Sequence, residues 1–68
     1  MEYTNSQIKE LIMEHLHSNR DRKLLYRRLV DGITLEKLGE EFQLSTAQVK
    51  RIVYKSEDIL FRHLDKTE

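Results

Sequence analysis

The chain has 68 residues, 38% apolar and 35% charged, with twelve basic and twelve acidic side chains and a formal net charge of zero. That is one small domain with a single compact core, in which a large active-site cleft of hundreds of cubic ångströms is not expected, which points away from an independent enzyme. No apolar run approaches the ~18–20 residues of a membrane span, no basic-then-apolar leader is visible, and the lack of cysteine removes disulfides and thiolate metal sites, so a cytoplasmic protein without membrane contact is expected.

With no proline and only Gly32 and Gly39, the chain favours helices joined by short turns over tight-turned β structure. Four helical segments are legible in order. The first opens near Thr4 or Asn5, where Thr4 and Gln7 have capping-box spacing, and carries Ile8, Leu11, Ile12 and Leu16 at helical period, with His15 on the same side. The second opens at Ser18, runs through Leu24, Leu25, Leu29 and Val30, and meets Gly32 where a helix end favours positive φ. The third opens at Thr34 and places Leu35, Leu38 and Phe42 on one face. The fourth opens at Ser45, whose spacing from Gln48 repeats the capping box. It continues through Val49, Ile52, Val53, Ser56, Ile59, Leu60 and Leu64, about 30 Å for ~20 residues.

The third and fourth segments are separated only by Gln43 and Leu44 before the Ser45 cap. A connection that short forces the sharp corner of a helix-turn-helix, here spanning about residues 34–56 of a single domain, 1–68. Leu38, Phe42, Val49 and Ile52 are expected to be largely buried between the pair. Gly39, mid-helix at a cost of ~1 kcal/mol against Ala, is expected to let the next helix approach the backbone closely. The fold class expected is therefore all-α: four helices with a helix-turn-helix and a long final helix. A generic helical hairpin is the plainer alternative.

On these residues the segment Thr34–Leu64 resembles the C-terminal promoter-reading region, region four, of bacterial sigma factors. Thr34-Leu35-Glu36-Lys37-Leu38-Gly39 matches that family's T-L-E-E-I-G, and Phe42, Leu44-Ser45, Val49, Ile52, Lys55 and Leu60 follow its turn and second helix. Upstream, Arg20-Asp21-Arg22, Leu24-Leu25, Arg27-Arg28 and Asp31-Gly32 look like its preceding segment, so the resemblance covers about residues 19–64. The family's promoter-melting and core-binding region has no counterpart here, so a complete sigma factor is not expected. Its R-E-R cluster at the start of the reading helix is replaced by Thr46-Ala47-Gln48, and the Gln three residues further on by Arg51. The resemblance implies a DNA-reading scaffold with a changed reading surface.

Charge is segregated along the chain. Residues 19–30 hold five basic residues and Asp21; residues 46–56 hold Lys50, Arg51 and Lys55 and no acid; the remaining blocks are acidic. Screening over ~8–10 Å makes a partner feel each block rather than the total. On a wheel of 100° per residue, Ile52, Val53, Ser56, Ile59, Leu60, His63 and Leu64 fall within ~80° of Val49. The opposite face holds Ala47, Gln48, Arg51, Lys55, Asp58 and Arg62. Arg51 suits bidentate contact with guanine, Gln48 with adenine, and Ala47 the thymine methyl. Ser45, Thr46, Lys50 and Lys55 suit phosphates, as do Arg20, Lys23 and Arg27 on the second helix. The plainer readings are a solvated charged face on the fourth helix and, for the stripe on the second, ion pairs with Glu36, Glu40 or Glu41.

Tyr54 and Phe61, seven apart, are expected to pack against the first helix, with a dimer or partner patch as the alternative. His15 and His17 point to different helix faces and neither joins His63 in a ligand spacing, so neither a metal nor a cofactor is expected. The function expected is double-stranded DNA binding in transcription regulation, in a bacterium or its phage. The rivals are a protein-interaction module docking on RNA polymerase or another regulator and, more remotely, the DNA-recognition part of a phage packaging or integration machine. A homodimer is compatible with each.

Overall fold

In a computed structural model, which describes residues 3–65, the chain folds into four helices and no strand among the described residues: α1 (Asn5–His15), α2 (Asn19–Leu29), α3 (Leu35–Phe42) and α4 (Thr46–Asp65). The architecture is all-α. Every helix start is fixed by a side-chain cap. Thr4 and Gln7 close a reciprocal box at α1, with the Thr4 N–H donating to Gln7 Oε1 at 2.8 Å and the Gln7 N–H to Thr4 Oγ1 at 3.1 Å. Ser18 accepts from Asp21 N at α2, and Thr34 from Lys37 N at α3. Each satisfies a backbone donor that the first helical turn leaves without a partner.

The connections carry their own instructions. Gly32 adopts φ +69° between α2 and α3, in the region where a Cβ is penalised. The loop is closed by Arg28, whose guanidinium donates to Ile33 O at 2.9 Å. Between α1 and α2, Arg22 donates from Nε to Leu16 O and from its terminal nitrogen to Met13 O at 2.9 Å, clamping the carbonyls at the end of α1.

The core is one cluster fed by all four helices: Ile12 and Leu16 from α1 and its C-cap, Leu24 and Leu25 from α2, Leu38 from α3, and Val49, Val53 and Leu60 from α4. Leu24, Leu25, Leu38 and Val49 are fully buried. At about 25 cal/mol per Å² of apolar surface removed from water, this cluster is the main favourable contribution to folding.

Two expectations are corrected. Phe42 and Ile52 are only half-buried and flank the core rather than fill it. Phe42 is the last residue of its helix and Ile52 sits ~60° round α4 from Val49, so each keeps one side in water. Tyr54 and Phe61 do not pack against α1; they are 57% and 50% exposed. At ~140° and ~120° from Val49 they fall outside the arc of α4 that the other helices cover. His63 and Leu64, expected on the inner face, lie outside the residues whose side chains are described.

Candidate nucleic-acid interface

α3 and α4 are joined by Gln43, Leu44 and Ser45 alone. Gln43 is left-handed, with φ 58° and ψ 46°, and its N–H still donates to Gly39 O. The Leu44 N–H donates to the same Gly39 oxygen at 2.8 Å, so one carbonyl closes the end of α3 twice. A Cβ built on Gly39 would lie 2.6 Å from the Leu44 carbonyl oxygen, a distance no side chain tolerates. A close approach at Gly39 is therefore real, but it is made by the backbone of the turn and not by the next helix, which begins only at Thr46. Leu38, one residue earlier, and Val49, in the first turn of α4, are both fully buried and fix the angle between the helices.

This corner presents the start of α4 to solvent. Thr46, Ala47, Gln48, Lys50, Arg51 and Lys55 are all exposed. Arg51 and Lys55 carry no ion pair among the described residues, and the nearest acids on the helix, Glu57 and Asp58, come later. Lys50 is engaged with Tyr54, its Nζ 5.7 Å from the ring centroid, within the range of a cation–π contact. Further along, Asp58 is paired with Arg62 at 3.1 Å.

The structure brings the candidate base contacts Ala47, Gln48 and Arg51 together on one exposed face with Lys55. It also gives two of the candidates a prior engagement. The Ser45 N–H and hydroxyl both donate to Gln48 Oε1, at 2.9 and 3.2 Å, while the Gln48 N–H donates to Ser45 Oγ at 3.2 Å. Ser45 and Gln48 thus form the capping box of α4. The bidentate adenine contact expected of Gln48 needs that same Oε1 as acceptor, so the contact requires the box to open; its amide N–H₂ remains available as donor.

On α2 the three cations divide between the two readings given for them, and Arg27 takes the ion pair with Glu41. Arg27 is held by two acids, donating to Asp31 at 2.8 Å from one terminal nitrogen and to both Glu41 oxygens from Nε, at 3.1 Å, and the other. These hydrogen bonds raise the Arg27 pKa further above its already high value and, with the charge of Arg27, hold the Glu41 carboxyl below the usual carboxylate range of 4.5. Arg27 is a brace between α2 and α3 with its charge spent locally. Arg20 touches Asp21 at 3.3 Å, and Lys23 is exposed without an acidic partner among the described residues.

Lys23 and Arg27 also line an open groove of about 620 Å³ with an apolar floor of Ile12, Met13, Tyr26 and Phe42. An open groove of this volume was not expected of so short a chain, and it gave no signal in the sequence, because its floor comes from three different helices. The Arg22 clamp was equally silent, since its acceptors are backbone carbonyls that carry no residue identity. Among the described residues no three His, Asp or Glu side chains converge, and no helix is long and apolar enough to cross a membrane. Comparison of the chain with protein-family models, with curated proteins and with solved structures gives no match in any of the three.

Proposed function

We propose that the chain is a non-enzymatic, cytoplasmic helix-turn-helix protein that binds double-stranded DNA through the N-terminal half of α4 and acts in transcription regulation in a bacterium or its phage. The observation that carries this reading is the α3–α4 corner. A three-residue connection, with Leu38 and Val49 on either side of it buried in the one core, leaves a capped, acid-free helix start exposed to solvent. A major groove is wide enough to admit such a helix, and helices of this kind touch base edges with their N-terminal residues. The resemblance of residues 19–64 to region four of sigma factors supports the same reading.

Arg51 is the base-reading residue in this proposal, with Ala47 beside it and Gln48 contributing its amide donors. Lys50, Lys55, Thr46 and Lys23 hold phosphates, which set register without reading sequence. Selection of bound sites from a random duplex library at two salt concentrations, repeated with two variants, tests this. Arg51→Ala costs about 1–3 kcal/mol on the preferred site and relaxes preference at one base position. Lys50→Ala weakens all sites alike and lowers the salt slope by about one. If both variants weaken binding uniformly, Arg51 is a phosphate contact; if no duplex binds at low salt, the DNA reading falls.

A protein-docking reading is favoured by a different observation, the groove floored by Ile12, Met13, Tyr26 and Phe42. In that case RNA polymerase or another regulator is the partner, and substitutions at Arg51 leave partner binding intact.

A further inference from the structure

We propose that α4 carries a self-complementary stripe that pairs antiparallel with α4 of a second copy of this chain. Lys50, Tyr54, Glu57 and Phe61 are spaced 4, 3 and 4 residues apart, the interval that keeps one face of a helix against a partner helix. On the wheel they fall within a band of ~60°, between the buried arc and the face that carries Arg51 and Lys55. Tyr54 and Phe61 are two of the three large apolar side chains left exposed among the described residues, and no other helix of the chain covers them.

Charge along α4 names the occupant. The stripe is basic at its start, with Lys50, and acidic one heptad later, with Glu57. Parallel pairing in register would set Lys50 on the partner's Lys50 and Glu57 on the partner's Glu57. Antiparallel pairing about a two-fold axis beside Lys55 and Ser56 sets Tyr54 against the partner's Glu57, and Lys50 against the partner's Phe61. The Lys50 ammonium already sits over the Tyr54 ring at 5.7 Å, where the partner's Glu57 arrives. The partner's Phe61 then covers the aliphatic stem of Lys50. Each contact occurs twice, as an isologous interface requires. Arg51 lies ~90° round from the centre of the stripe and stays uncovered, whereas Lys50, placed on a phosphate in the proposed function, is engaged by the interface, so the dimer is measured in the absence of DNA.

Sedimentation equilibrium of the full chain, at concentrations reaching about 1 mM, reads the interface directly. A monomer–dimer equilibrium that weakens with salt is expected. Tyr54→Glu places an acid against the partner's Glu57 and abolishes the dimer, and Phe61→Lys does the same against the partner's Lys50. Lys50→Glu or Glu57→Lys alone raises the dimer dissociation constant about tenfold, because like charges then meet. The double change Lys50→Glu with Glu57→Lys restores it to within about threefold, since each pair is merely exchanged. Lys50 and Glu57 are two turns apart on their own helix, so that rescue reports contact between copies. All four positions lie outside the buried core, and circular dichroism verifies that each variant is folded. A chain that stays monomeric throughout overturns the proposal, as does a dimer indifferent to Tyr54→Glu and Phe61→Lys, or a double variant no tighter than the singles.

Discussion

Gly39 and Gln43 make the turn possible in opposite ways. Gly39 supplies the absence of a Cβ where the Leu44 carbonyl oxygen passes at what would be 2.6 Å. Gln43 adopts φ 58° despite its side chain, at a cost that the surrounding hydrogen bonds offset. Substituting Gly39 by Ala gains the helix preference of about 1 kcal/mol but drives backbone against the new methyl. The clash wins, because the Leu44 oxygen belongs to a turn held by the Leu44 N–H bond to Gly39 O and cannot swing aside as a side-chain tip would. Gly39→Ala is expected to destabilise by about 1–3 kcal/mol net, read as a lower urea midpoint at unchanged slope; an unchanged midpoint would show that the turn yields. The second residue-scale effect is Glu41. Its carboxyl is held below 4.5 chiefly by hydrogen bonds from Arg27. A depressed pKa contributes stability that is present above the unfolded value and lost as pH falls through the folded one. Arg27 keeps its charge throughout that range and adds no pH dependence of its own. Glu41→Gln is therefore expected to lower the thermal midpoint at neutral pH slightly and to flatten its decline below about pH 4.5. Parallel acid limbs for the two proteins would assign the decline to other carboxylates.

At the scale of the helices, the hydrophobic period located all four elements, and the Ser and Thr caps located their starts. Thr4–Gln7, Thr34 and Ser45–Gln48 are local signals whose donors and acceptors lie three residues apart, so sequence alone contains them. Depth of burial was less legible. Leu38 and Phe42 sit one turn apart on one face of α3, yet Leu38 is fully buried while Phe42 is half-exposed and lines the groove. Periodicity gives the face of a helix but not where neighbouring helices end. The two positions should consequently respond in the reverse of their side-chain size. Leu38→Ala is expected to cost about 2–5 kcal/mol, and Phe42→Ala less than the 3–5 kcal/mol or so of a fully buried Phe. For a chain whose total stability is on the order of 3–10 kcal/mol, the first change populates the unfolded state and the second does not. Urea titrations of the two variants decide it, and a Phe42→Ala loss exceeding that of Leu38→Ala would place the core nearer the turn than the structure does. The same limit hid the exposure of Tyr54 and Phe61, whose cover depended on the position of α1.

Over the whole molecule, a net charge of zero conceals a surface divided into blocks. Part of that division was readable from composition, and part was not. Sequence offered Glu36, Glu40 and Glu41 alike as partners for the stripe Arg20, Lys23 and Arg27, but not which pair forms: Glu41, fourteen residues from Arg27, takes Arg27 by a tertiary contact. Of the cations on the candidate contact faces, those left for a polyanion are Lys50, Arg51 and Lys55 on α4 and Lys23 on α2, with Arg20 partly committed to Asp21. If DNA is the partner, this sets its salt dependence. Each phosphate neutralised contributes about −0.9 to the slope of log affinity against log salt, and a surface with about three or four phosphate contacts gives a slope near −3. Affinity for a random duplex should then fall on the order of 10²-fold between about 50 and 200 mM salt, with the dissociation constant at physiological salt near the weak end of the usual ~10⁻⁴–10⁻⁶ M range. The acidic blocks supply no counterions to release and add repulsion at distances beyond ~10 Å, which screening removes at the upper end of that salt range. Glu41→Gln provides the internal control. It frees Arg27 from its stronger partner, so the slope should steepen by up to about one unit if the α2 face lies along the duplex. An unchanged slope in that variant would confine the contact to α4, and a wild-type slope near zero would show that phosphates are not what this surface binds.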